Sequence, residues 1–398
     1  MSTARRHERG LHLAAHPFAY PLMRGLARLG PVVRVPGLGV AVNDPHLARA
    51  VLLDGEHFRK DGPGSSGDLW TPILGPSVLL NMEGEPHREL RRRLASLFTP
   101  DYTRRLCAQV LAEPLHDLSM RLARGETVDL VDRMRILTGA AICSVIGLRD
   151  VDEHRARELF EDGERIVSSV KLTTRQLTGR RLRTAREVLD RIGEIAATAY
   201  RAGDETTVMG RMRRLGLSEP EARGAAAAFF LTGTETVATF LPRFIALLHD
   251  TGTLARVAAD PALLDPAIDE TMRITTPTPV MLRSVAAPTA IGPVAVHPGD
   301  RILIVTHNCA RAHGPFDLDL PHPPVLHRLW FGAGPHFCLG YPLAMAEIRT
   351  IAQTLLAAAP LQVVRRRYAR GVLIPTYRTL EIVSDLAVPT GGSRLPGR

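Results

Sequence analysis

The chain has 398 residues, 45% of them hydrophobic and 23% charged, a balance that excludes a disordered segment and fits a folded globular protein. Its 50 basic and 41 acidic residues leave +9, and only Lys60 and Lys171 are lysines, so 50 − 2 = 48 arginines set the electrostatics. Charge alone leaves nucleic acid, an anionic membrane and an acidic protein open as partners.

In chain order, the charged stretch from Met1 to Gly10 reads as flexible, with no apolar run behind it, so no signal peptide is expected. Short β-like pieces follow at Val32–Val35 and Val40–Val42. Leu90, Leu94, Leu97 and Phe98 fall at i, i+4, i+7 and i+8, the apolar stripe of a packed helix over 86–98. Ser218 and Glu221 form a capping box that opens a long helix running to about His249. Its middle, Ala225 to Leu231, is apolar all round, which implies burial; at seven residues it falls far short of the ~20 of a membrane span. Pro266 opens the helix bearing Glu270 and Arg273, further β pieces are expected at 294–305, 371–374 and 380–383, and Tyr341–Ala358 reads as a helix. No repeat and no low-complexity linker divides the chain, so a single domain over 1–398 is expected, mainly α with small β-sheets. Cys107, Cys143, Cys309 and Cys338 are dispersed without a CxxC pair, which suggests neither a zinc site nor a disulfide framework and fits a reducing, cytoplasmic setting.

The sharpest feature is Phe331-Gly332-Ala333-Gly334-Pro335-His336-Phe337-Cys338-Leu339-Gly340. Two glycines and a proline build a tight turn that aims one cysteine at the start of a helix, where unpaired N–H groups favour a thiolate able to ligate a soft metal. Taken alone, the same run also reads as a glycine-rich turn with a structural cysteine. It resembles the haem-binding loop of the cytochrome P-450 family, F-G-x-G-x-H-x-C-x-G, at every specified position. The resemblance implies a single large domain enclosing haem b, with Cys338 as the iron ligand and Phe331, Gly332, His336 and Gly340 shaping its cradle.

Three further signatures stand in the family's order. Glu270-x-x-Arg273 puts a carboxylate and a guanidinium on one helix face; it resembles the family's buried structural pair, with Arg311 as its third partner. Thr232-Gly233-Thr234-Glu235-Thr236 places an acid and hydroxyls inside the apolar helix, costly unless bonded or functional; satisfied threonines bonding back to carbonyls are an equal reading of the residues alone. The segment resembles the family's oxygen-activating motif, with Thr236 and Glu235 as its hydroxyl and acid and Gly233 allowing the helix to loosen. Thr232 and Val237 depart from the family's commoner residues. His87 and Arg91, at i and i+4, share one helix face; with Arg283 and His336 they resemble the haem-propionate ligands.

The resemblance implies a monooxygenase that inserts one atom of O2 into a hydrophobic small molecule, in bacterial secondary metabolism to judge from the arginine and alanine usage. The thiolate ligand donates electron density that favours O–O cleavage. Electrons are expected from an acidic ferredoxin and an NAD(P)H-dependent reductase, docked on Arg88, Arg92, Arg93 and Arg349. Trp70, Ala228, Phe229, Thr232, Val280, Leu373 and Ile374 are the expected substrate contacts, and the arginine-rich stretch 171–186 suits an acidic group or a carrier protein presenting the substrate. A peroxide-driven peroxygenase and a non-catalytic haem-binding partner protein are the alternatives. With aromatics at 5% and no stacking platform among the arginines, nucleic acid is not expected.

Overall fold

The structure is a computed structural model that describes residues 2–149, 151–168, 170, 174 and 176–385. Its helices, in order, are α1 (Thr3–Ala15), α2 (Ala19–Leu29), α3 (Pro45–Leu53), α4 (Ser66–Leu74), α5 (Gly84–Ala95), α6 (Pro100–Val110), α7 (Ala112–Ala123) and α8 (Leu130–Val145). They continue as α9 (Glu153–Ser168), α10 (Gly179–Ala202), α11 (Val208–Arg214), α12 (Glu219–Thr251), α13 (Leu254–Ala259), α14 (Leu264–Thr275), α15 (Thr306–Arg311) and α16 (Tyr341–Ala357). Strands β1 (Val32–Val35), β2 (Gly39–Val42), β3 (Phe58–Arg59), β4 (Val128–Asp129), β5 (Met281–Val285), β6 (Thr289–Ile291), β7 (Val294–Val296), β8 (Arg301–Ile304), β9 (Leu361–Tyr368) and β10 (Tyr377–Ser384) form three small sheets. The largest has the order β1-β2-β8-β5-β3, with β2 parallel to β8 and Arg283 of β5 opposite Ile302 of β8.

Helix α12 is the axis of the molecule. Ser218 and Glu221 exchange both bonds of the capping box, and Gly252 closes the far end at φ +74°. The helix is long and apolar enough to cross a membrane by composition, yet 72% of its most apolar window is buried inside the protein. Its first half packs with α5, α9, α10 and α11 through Leu94, Ile166, Ile192, Met212 and Phe230. Its second half packs with α7, α8, α14 and α16 through Leu118, Leu137, Phe244, Ile268 and Ile351.

Three sequence expectations change. Residues 3–10 are helical, and Glu8 is buried against Arg243, so the start of the chain is pinned. The run 371–374 is a turn joining β9 to β10: Gly371 takes φ +66°, and its N–H donates to Ala14 O at 3.2 Å rather than to a neighbouring strand. Three apolar residues between a glycine and a proline carry no period that tells the two apart. Helix α14 starts at Leu264, with Pro266 inside its first turn, where a missing N–H costs nothing.

Candidate functional site

The cysteine loop is fixed by its own backbone. Gly332 and Gly334 adopt φ of +84° and +63°, and Cys338 N–H donates to Phe331 O at 2.9 Å. A Cβ on Gly334 would sit 3.1 Å from Leu52 O, so both conformation and space call for glycine there. Phe331 meets Tyr341 edge-on at 4.9 Å, and Cys338 and Gly340 lie just ahead of α16. Burial pushes the Cys338 thiol up, while the N–H groups of Gly340 and Tyr341 and the charges of Arg91 and Lys60 pull it down.

Around this loop, α5 presents His87 and Arg91 on one face, β5 presents Arg283, and the loop itself presents His336. His87 is buried with its ring 4.2 Å from that of His336. His336 Nε2 stands 2.9 Å from the Glu83 carboxylate, which also accepts the Lys60 backbone N–H at 2.5 Å. Lys60 itself is locked, its carbonyl accepting from Gly67 N–H at 2.8 Å and from Ser65 Oγ at 2.5 Å. Burial, then the Arg283 charge, brings the Lys60 ammonium down to about 7; burial, then His336, brings His87 down to about 4. Burial also lowers Arg283 to about 10, with Glu83 opposing.

This cluster fits haem b. Among the described residues, Arg283 donates only to Leu282 O, at 2.9 Å, and Arg91 and the Lys60 ammonium make no hydrogen bond or ion pair. Arg91, Arg283 and Lys60 thus share the site with one carboxylate, Glu83, with both imidazoles held neutral. Two propionates would bring the balance to three cations and three carboxylates.

On the facing side, Thr232 and Thr236 keep accessible surface although Leu231, Thr234 and Val237 around them are buried. The helix runs unbroken through Gly233, where a Cβ would come 3.3 Å from Ile142 Cδ1 of α8. The hydroxyls bond back along the helix: Thr232 to Ala228 O at 2.7 Å and Thr236 to Thr232 O at 3.3 Å. Thr236 makes the longer, weaker bond. Glu235 turns toward a small cavity shared with Arg135 of α8, Glu164 of α9, Ile374 and Tyr377. Burial, then the Glu164 charge, pushes the Glu235 carboxyl up to about 8, against Arg135. Arg135 Nη2 binds both Glu164 oxygens, at 2.9 and 3.0 Å.

Of the expected substrate contacts, Trp70 and Leu373 share an apolar cluster with Leu69, Val170 and Leu177, and Phe229 meets Phe98 edge-on at 5.0 Å. Ile374 lines the Glu235 cavity, whereas Val280 packs instead against Tyr20, Met23 and Val305 at the N-terminal side. Part of the arginine-rich stretch 171–186 lies outside the described residues, including Lys171 and Arg175.

Glu270 and Arg273 form a buried two-point pair at 2.6 and 2.7 Å, and Arg273 also donates to the carbonyls of Ala310, Gly314 and Pro315. Their third partner is not Arg311. Arg311 reaches Ile274 O at 2.9 Å and Glu8 at 3.4 Å, because Glu8 of α1 draws it the other way. His322 Nε2 takes the place instead, 2.7 Å from Glu270, and Asp317 N–H adds a bond at 2.8 Å. Among the docking arginines, Arg88 and Arg92 are exposed and paired with Glu85 and Glu89, and Arg349 with Asp265. Arg93 turns inward to Glu221 and Leu215 O. Lys60, Glu83, His322, Arg135 and Glu164 escape sequence reading because each meets its partner across tens of residues.

No family model matches the chain. It is 27% identical to a mycinamicin IV hydroxylase/epoxidase of Micromonospora griseorubida, over 91% of this chain and 97% of that protein. It is 28% identical to cytochrome P-450 monooxygenase DoxA of Streptomyces sp. strain C5, over 87% and 91%. Among solved structures, P450BioI in complex with a hexadec-9Z-enoic acid ligated acyl carrier protein superposes with a TM-score of 0.79 at 21% identity, covering 94% of this chain and 99% of that one. The fold, the cysteine loop and these relatives agree in their likeness to the cytochrome P-450 superfamily, whose cofactor is haem b.

Proposed function

We propose that the protein is a haem-thiolate monooxygenase that inserts one oxygen atom of O2 into a hydrophobic small molecule, as a tailoring step in bacterial secondary metabolism. The observation that carries this reading is the single cysteine at the head of α16, set beside a cluster of cations short of two carboxylates. Thiolate-ligated haem supplies reductive O2 activation and O–O cleavage when bound. Cys338 would hold the iron, and His87, Arg91, Arg283, His336 and Lys60 would hold the propionates. Phe331, Gly332 and Gly340 keep the loop in shape. Thr236 offers a hydroxyl over the pocket, and Glu235, neutral at pH 7, holds a proton that the Arg135–Glu164 pair can replenish from outside. Trp70, Ala228, Phe229, Thr232, Leu373 and Ile374 exclude water and set substrate shape, with Val280 acting from behind the sheet.

Electrons would come from an acidic ferredoxin and an NAD(P)H-dependent reductase in the cytoplasm, through exposed Arg88 and Arg92. The structural neighbour bound to a carrier protein, together with exposed Arg180 and Arg183 at the head of α10, supports a carrier-presented substrate as a further form of the same reading. The reduced carbon-monoxide difference spectrum tests the ligand assignment. A thiolate-type band is expected in the parent and lost in Cys338→Ala; its persistence there would sink the proposal. Optical titration of the bound haem with small molecules then identifies the substrate class.

A further inference from the structure

Arg243 lies on α12 seven residues beyond Thr236, in an apolar sleeve beside Phe240, Phe244 and Leu247, and its side chain is 1% exposed. A buried guanidinium is an expensive way to hold a helix, because an apolar side chain of similar volume often stabilises as well or better. What Arg243 does that leucine cannot is reach two segments at once from α12. Its Nη2 donates to Glu8 of α1 at 2.6 Å and its Nη1 to Pro375 O at 3.1 Å. Arg311 of α15 approaches the same Glu8 carboxylate.

Pro375 belongs to the turn 369–376, whose backbone is tied once to α1 and once to the residue that caps it. Gly371 N–H donates to Ala14 O at 3.2 Å, and His16 Nε2 lies 2.9 Å from Leu373 O. The side chains of that turn face the chemistry: Leu373 packs with Trp70, and Ile374 lines the cavity of Glu235. The turn carries few internal bonds of its own, Ala369 N–H to Thr376 O at 3.0 Å among them. Its position therefore follows α1 and Arg243.

Resting on the monooxygenase reading, we propose that the buried Arg243–Glu8 pair is a latch that fixes the turn 369–376 against α12, making α1 and Arg243 positioning residues for substrate shape. Charge balance at the latch is local: Glu8 faces Arg243 and Arg311, with His12 and His307 packed alongside, both kept neutral by burial and the neighbouring guanidinium charges. Opening the latch would loosen the turn without touching the cysteine loop.

The test uses the holoenzyme and two probes that ligate haem iron, imidazole and 4-(4-biphenylyl)imidazole, followed by the optical shift they cause. In Glu8→Gln/Arg243→Leu, where the new amide oxygen at position 8 and Ile274 O remain as acceptors for Arg311, imidazole should bind as in the parent, while the longer biphenylyl probe should change affinity by about tenfold. Arg243→Lys keeps the pair with Glu8 but shortens the reach to Pro375, and should show the same size-selective change; it also decides the matter if the double variant does not fold. Amide hydrogen exchange at Gly371 should quicken in both variants. Equal affinities for both probes, or equal shifts for both, would overturn the latch. A parent protein that binds haem but shows no imidazole shift would overturn the monooxygenase reading, and the latch with it.

Discussion

His322 Nε2 stands 2.7 Å from the Glu270 carboxylate and closes, with Arg273, a three-member cluster whose imidazole meets Trp330, the residue before the cysteine loop, edge-on. A titratable ring thus does the work for which a guanidinium was expected, and the segment 312–330, short and rich in proline, is shaped around it. Removing it leaves one Glu270 oxygen with a single donor from Arg273. His322→Ala should therefore cost about 1–3 kcal/mol of holoenzyme stability by chemical denaturation. His322→Gln, which can still donate, should recover part of that loss. Unchanged stability in the alanine variant would show that Arg273 and Asp317 N–H suffice.

Glu235 makes stability depend on pH, with a definite sign. Its folded value of about 8 lies above the ~4.3 of an unfolded glutamate. Between those values the folded state holds a proton that the unfolded state has lost, so this contribution is full below about pH 4.3 and fades as pH rises through about 8. Glu235→Gln removes it. The variant should gain on the parent as pH rises from 5 to 8, by up to about 1.4 kcal/mol per pH unit. Glu347, pushed up to about 8 by burial alone, keeps its own slope in both proteins and serves as an internal control. Parallel stability curves for parent and variant would place the Glu235 proton elsewhere. In turnover, the variant should send fewer NAD(P)H electrons into product.

How much could be read beforehand depends on how far apart in sequence the partners lie. The capping box at Ser218, the apolar middle of α12 and the cysteine loop are local, and short-range rules recover them. The cluster of His87, Arg91, Arg283 and His336 beside the cysteine loop is legible through the resemblance, because spacing alone gives only a basic helix face. Arg311 shows the limit. Its position in sequence suits Glu270, but Glu8, some 300 residues earlier, competes for it, and no periodicity registers that contact. Strand β9 escaped for a similar reason: its alternation is masked by Arg365, which pairs with Glu381 at the surface, Arg366, which turns to the buried side chain of Asp250, and the exposed Arg367.

Lys60 would supply the third cation to balance two propionates once Glu83 is counted. Lys60→Met would leave two propionates and Glu83 facing Arg91 and Arg283 alone. Transfer of haem from the holoenzyme to excess apomyoglobin should quicken about tenfold, the scale on which supporting contacts hold a bound group. Lys60→Arg keeps the charge and should restore slow transfer. Loss rates equal to the parent in the methionine variant would assign the propionates wholly to Arg91, Arg283 and the two histidines.

The arginines of α5 separate docking from folding. Arg92 is 77% exposed and tied only to its own helix through Glu89, whereas Arg93 faces Glu221 in the capping box of α12. Reversing Arg92 should therefore slow reduction by an acidic ferredoxin and flatten its dependence on salt, with little change in stability, since exposed pairs contribute about 0–1 kcal/mol. Reversing Arg93 sets a carboxylate against Glu221 and Leu215 O, so Arg93→Glu should lower thermal stability first and electron transfer only secondarily. Stopped-flow reduction across a salt series, beside melting curves, separates the two. If Arg92→Glu leaves the rate and its salt dependence untouched, the donor docks on another face.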